Sequence, residues 1–175
     1  MFDPTAFDNL KVVLEGIVYD MDLNGMIQIL DRNDFVNIAK MERTYNISFS
    51  LNDVSQHKTI TVCLQLHFSF EDHYDELVIK KDSLRCTYTI SYQIPEILDD
   101  ITDKRVRKLL NRYYHQVNVK KIHMEKNLEN ELFMELIVFD FIGETDVDKL
   151  RDSVQKSISV IQELTNLIQS TEEEK

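Results

Sequence analysis

Three groups of side chains in this chain have the types and spacing to do chemistry. The first runs from Asp20 to Asp31. Asp20, Asp22 and Asn24 put side-chain oxygens at positions 1, 3 and 5 of twelve, Gly25 stands at 6, Ile27 at 8 and Asp31 at 12. Hard oxygens alternating around a glycine turn are what a calcium ion requires, with the Met26 carbonyl as a further donor. The second group is basic: Lys104, Arg105, Arg107, Lys108, Arg112, Lys120, Lys121 and Lys126 lie in a stretch whose only acids are Asp103 and Glu125. Lys104, Lys108 and Arg112 recur every four residues and so share one helix face, with His115 beside them. The third gathers His67, Glu71, Asp72, His73, Asp75 and Glu76, imidazoles and carboxylates that hold zinc or manganese or pass protons where they converge.

Each group also has a plainer reading. The Asp20–Asp31 stretch resembles the calcium loop of the EF-hand family, but Asp31 replaces the usual glutamate with a shorter arm, and Met21 and Leu23 are apolar where such loops are polar. The same residues read as a β-hairpin. Ile17–Leu23 and Met26–Leu30 become its strands, Asn24-Gly25 its type I′ turn, and Tyr19, Met21 and Leu23 share a face with Met26 and Leu30. The basic stretch Lys104–Lys126 reads either as a docking patch for an anion or an acidic partner, RNA included, or as a solvated helix face. The histidine cluster has no H-E-x-x-H spacing and reads as an acidic turn. Cys63 and His67 share a strand face but lie about 13 Å apart, too far for one ion. Cys63 lacks the flanking pattern of a nucleophile, and Cys86 falls on an apolar parity. We therefore assign no catalytic, cofactor or metal site, and we expect a non-enzyme.

Composition removes several common functions. Gly16, Gly25 and Gly143 are the only glycines. A dinucleotide fingerprint, a P-loop and a G-x-S-x-G elbow all need glycines clustered in one turn. Two cysteines make neither a zinc knuckle nor a disulfide framework. A net charge of −11 over 175 residues opposes DNA and anionic lipid. The N-terminus lacks a signal-peptide pattern, and no apolar run approaches spanning length, so the expectation is a soluble cytoplasmic protein.

These groups must be positioned by elements that the hydrophobic pattern outlines. Asp3 and Pro4 suit a helix start, with Phe2 and Phe7 as its hydrophobic staple, and Phe7, Leu10, Leu14 and Ile17 repeat at helical spacing. Tyr45, Ile47, Phe49 and Leu51 alternate with polar residues. So do Ile60, Val62, Leu64, Leu66, Phe68 and Phe70, and then Leu84, Cys86, Tyr88, Ile90 and Tyr92. Alternation of this kind predicts strands with one dry and one wet face, hence an antiparallel sheet. A basic helix follows over roughly Thr102–His115, buried through Val106, Leu109, Leu110, Tyr113 and Val117. Gln116–Met124 favours strand. Leu132–Phe141 is apolar on both parities, so both of its faces should be covered. Thr145-Asp146-Val147-Asp148 reads as a capping box for a last helix carrying Val147, Leu150, Val154, Ile158, Ile161, Leu164 and Ile168. Val160 and Leu167 are apolar residues left off that stripe.

The expected fold is α+β: an antiparallel meander with an N-terminal helix, a middle basic helix and a long C-terminal helix packed on one face. We expect one domain over residues 1–170 and a frayed acidic tail over 171–175. By element order the chain resembles the small acidic chaperones of type III secretion, which implies a chaperone- or adaptor-like role. The leading expectation is a non-catalytic protein-interaction module that forms a homodimer, since doubly apolar strands and spare apolar helix residues mark interfaces. The alternatives are a calcium- or metal-responsive protein using Asp20–Asp31, and a small-molecule binder or enzyme with a concavity between the long helix and the sheet.

Overall fold

The computed structural model describes residues 6–52, 59–74, 85–94, 100–114, 118–126, 129–143 and 145–173, and for 73, 85, 100, 118–126, 129–136 and 171–173 the backbone alone. The elements in chain order are α1 (Ala6–Leu23), β1 (Ile27–Asn37), β2 (Glu42–Leu51), β3 (Thr61–Phe68), α2 (Phe70–Tyr74), β4 (Arg85–Ile94), α3 (Asp100–Tyr113), β5 (Asn118–Lys126), β6 (Glu129–Gly143) and α4 (Val147–Glu173). The six strands form one sheet in the order β1-β2-β3-β4-β6-β5, every pair antiparallel. This is the α+β architecture expected from the alternating strands and helical stripes. Among the described residues, no helix is long and apolar enough to cross a membrane.

The first helix is longer than its sequence suggested. Ile17–Leu23 continues α1 and is no strand, because Ile17 and Val18 extend the stripe of Phe7, Leu10 and Leu14 into the core. That burial outweighs the roughly 1 kcal/mol by which Gly16, exposed on the outer side, disfavours a helix interior. Asn24-Gly25 is accordingly not a type I′ hairpin turn. Met26 N–H donates to Met21 C=O at 3.1 Å and Gly25 N–H to Asp22 C=O at 2.9 Å, with Gly25 at φ +71°. These two bonds and the left-handed glycine make a Schellman cap.

One side of the sheet makes the core. Tyr45, Ile47 and Phe49 of β2, Val62, Leu64, Leu66 and Phe68 of β3, and Tyr88, Ile90 and Tyr92 of β4 point into it. There they meet α1, Val106, Leu109 and Leu110 of α3, and Leu150, Val154, Ile161 and Leu164 of α4. At 1.5 Å per residue, the 27 residues of α4 reach about 40 Å. Val160, taken from sequence as a spare surface residue, is wholly buried, and Leu167 packs partly against the core. The apolar stripe of α4 is wider than a single row because the helix touches both α1 and α3 as well as the sheet.

Polar side chains fix the element ends. Asp72 Oδ2 accepts from both Ser69 N–H at 2.8 Å and Ser69 Oγ–H at 2.7 Å, while Ser69 Oγ accepts Asp72 N–H. This capping box starts α2 and turns Phe70, expected at the end of a strand, into an exposed first helical residue. At α4 the cap is Asp146, one residue later than expected, and its carboxylate accepts the Gly143 N–H at 3.0 Å. Arg43 ties α1 to the β1–β2 hairpin: it donates to Asp8 and to Asp34, each at 2.7 Å, and its guanidinium lies 4.7 Å from the Phe7 ring centre.

Candidate functional site

The residues of the calcium-like loop are drawn apart by the cap. Asp20 and Asp22 sit in the last turn of α1, and Asp22 Oδ1 accepts the Ile29 N–H at 3.3 Å. Asp31 lies on β1 beyond a bulge between Ile29 and Asp31. Its oxygens accept Arg32 N–H at 2.8 Å and Asn33 Nδ2–H at 2.7 Å. Among the described residues, no three His, Cys, Asp or Glu side chains come together as a metal-holding group.

The basic helix keeps Lys104 and Lys108 exposed, but its arginines meet the protein's own acids. Arg107 donates to Asp103 at 2.8 Å and Arg112 to Glu163 of α4 at 2.7 Å. Lys120, Lys121 and Lys126 fall on β5. His115, Val117, Asp75 and Glu76 lie outside the described residues. His67 Nδ1 bonds Thr44 Oγ1 at 3.0 Å across β2 and β3, so this imidazole belongs to a cross-strand pair. Cys86 is buried, and Cys63 is half-buried on the opposite parity.

Two surfaces remain that the fold builds without a structural need for them. The first is the side of the sheet away from α1, α3 and α4. Register places Phe35, Thr44, His67, Thr87 and Phe141 in one row across β1, β2, β3, β4 and β6. The next row is Asn33, Asn46, Gln65, Thr89 and Phe139, and the third is Asp31, Ser48, Cys63, Ser91 and Ile137. From β2 to β6 not one residue of these rows carries a charge, in a chain where charged residues make up 29%. Phe35, Phe139 and Phe141 are more than half exposed, at 55%, 57% and 57%. The expectation that both faces of Leu132–Phe141 are covered is met in part: Val138 and Ile142 are buried toward the helices and Ile137 is buried on the outward parity, while Phe139 and Phe141 are exposed with no described helix over them. The side chains of 132–136 lie outside the described set.

The second surface is a cleft of about 360 Å³ on the helix side, lined by Ile90, Tyr114, Val138, Asp140, Lys149, Asp152, Ser153 and Lys156. A ligand-binding reading requires a concavity between the long helix and the sheet, and this is where the cleft lies. Beneath it, Tyr92 and Tyr114 join their hydroxyls at 2.6 Å, and Ser153 Oγ–H donates to Tyr88 Oη at 3.5 Å. Burial pushes the Tyr88 and Tyr92 phenols well up, and Tyr114 to about 12, so all three stay neutral donors at physiological pH. The cleft residues of α4 escaped sequence reading because they belong to an ordinary polar helix face. Their spacing at 149, 152, 153 and 156, one side of a helix, was the available signal. No family model, no curated protein and no solved structure matches the chain.

Proposed function

We propose that this chain is a non-catalytic protein-interaction module, chaperone- or adaptor-like, whose outward sheet face docks a second copy of itself. The observation that carries the reading is the absence of charge from three successive rows across β2, β3, β4 and β6, on a face that no described helix covers. An ordinary solvated face in a protein this charged would hold several Lys, Glu or Asp, whereas interface centres are depleted of them and enriched in aromatics. Two chains that each carry −11 repel, and they approach most cheaply where neither presents charge.

The uncharged rows cover four strands about 4.8 Å apart and five residues of about 3.3 Å along each. They form a charge-free centre of roughly 300 Å², within the ~800 Å² per partner that a stable interface buries. Two such faces would stack about 10 Å apart as a sandwich.

Light scattering at tens of micromolar tests the reading. The expected result is a dimer for the native chain and a monomer for Phe139→Ser/Phe141→Ser, with native circular dichroism in both. A native chain that stays strictly monomeric at that concentration rules self-docking out.

A further inference from the structure

We propose that the cleft between α4 and the β4–β6 strands binds a zwitterion of dipeptide length with apolar side chains. This goes beyond the docking reading and is independent of it, since the cleft opens on the other side of the sheet.

The floor is apolar. Ile90 and Val138 are cross-strand partners, and the Tyr114 ring closes one end beside them. Above the floor, α4 contributes charges that differ in how they are engaged. Lys149 is fully committed, since it donates to Asp140 at 2.9 Å and to the Phe141 carbonyl at 3.0 Å. Lys156 meets no carboxylate among the described residues. Its Nζ lies 3.4 Å from the Tyr113 carbonyl and 5.4 Å from the centre of the Tyr114 ring. Asp152, also on the cleft wall, has no ion pair or hydrogen bond among the described residues.

Asp152 and Lys156 stand four apart with the acid first, the order in which an exposed helix readily closes an ion pair. Here the lysine is turned over the tyrosine ring and the pair is open. A cation and an anion that are not paired with each other, nor with an opposite charge among the described residues, thus flank one apolar floor, about one helical turn apart, which is about 5–6 Å between their Cβ atoms. A free amino acid carries its ammonium and carboxylate on one carbon and brings a single side chain to a floor made of two residues. A dipeptide, at about 3.3–3.6 Å per residue, spans them. It would set its carboxylate on Lys156, its ammonium on Asp152 and its side chains on Ile90 and Val138. A volume of about 360 Å³ lies at the lower end of small-molecule sites.

Thermal unfolding and calorimetric titration of the full chain with leucyl-leucine test this. Free leucine, N-acetyl-leucyl-leucine and leucyl-leucine amide serve as comparisons. A tenfold excess over Kd should raise Tm by about 3 °C or more. Each capped form should bind at least tenfold more weakly, and so should free leucine. Asp152→Asn and Lys156→Gln should each weaken leucyl-leucine about tenfold. Lys156→Arg should retain most of the binding, and Lys104→Gln on α3 should leave it unchanged. No heat and no shift with the native chain overturns the proposal, as does equal binding of the capped forms or native affinity in both cleft variants. Binding that survives in Phe139→Ser/Phe141→Ser keeps this result separate from the fate of the dimer.

Discussion

The hydroxyls of Tyr92 and Tyr114 meet at 2.6 Å, and through that contact the end of α3 is fastened to the centre of the sheet. Tyr92 is wholly buried and Tyr114 nearly so, so neither hydroxyl has water to fall back on. Removing one leaves the other unsatisfied, which costs about 1–2 kcal/mol. Tyr92→Phe and Tyr114→Phe should each lower the unfolding free energy measured in urea by that amount. The double variant should cost no more than either single one, because nothing is then left unsatisfied. Additive losses would show that the two hydroxyls do not depend on each other.

Gly25 bears on the calcium question. It holds φ +71°, and a Cβ built there meets nothing within 4 Å. The cost of Gly25→Ala is therefore backbone strain alone, about 1 kcal/mol. Because Asp20 and Asp22 belong to the last helical turn and Asp31 to a strand, that cost should be equal in chelator and in millimolar calcium. Calcium should leave the native Tm where it was. A calcium-specific rise lost in Asp20→Ala would mean that the α1 cap gives way to an ion-binding loop.

Where a pattern had one physical cause, the sequence was readable. Strict alternation over Tyr45–Leu51 and over Ile60–Phe68 comes from a sheet dry on one side, and those residues lie in the core as the parity requires. Ile17–Leu23 misled because its apolar residues fit both periods. The choice of helix rests on what Ile17 and Val18 pack against, which local sequence does not hold. Phe70 misled for a related reason: its parity continued β3, but the Ser69–Asp72 capping box ended the strand first. Val160 was misplaced because a helix wedged among α1, α3 and a sheet buries more than one stripe. The uncharged rows of the outward face were legible residue by residue. Their meaning appeared only when register laid β1, β2, β3, β4 and β6 side by side.

Asp34 gives the protein a specific acid sensitivity. The Arg43 guanidinium donates two hydrogen bonds to its carboxylate, Lys11 adds a third at 2.7 Å, and together they outweigh partial burial and hold its pKa at about 2. An unfolded Asp titrates near 3.9. The stabilisation is therefore complete above about pH 4 and is lost as pH falls from about 4 to about 2, because the unfolded chain takes up the proton first. The site is partly exposed, so screening limits the effect to about 1 kcal/mol. Urea titrations at pH 4.5 and 2.5 should show native stability falling more steeply than that of Asp34→Asn. Equal slopes would mean that the Arg43 and Lys11 bonds do not persist in solution.

Cys63 can locate the docking face without altering it. It stands on β3 between Ser48 and Ser91 in the third outward row, half-buried and outside any disulfide. Cys86 is buried against the helices and should stay unreactive at any concentration. If a second copy stacks on this face, the Cys63 sulfur is covered as dimer forms. Its alkylation by iodoacetamide at fixed pH should then slow several-fold between sub-micromolar and tens of micromolar protein. Fixed pH matters because the thiolate is the reacting form. In Phe139→Ser/Phe141→Ser the rate should be high and independent of concentration. A constant rate in a native chain that light scattering finds dimeric would move the interface off this face, leaving the exposed edge of β1 as the surface to test next.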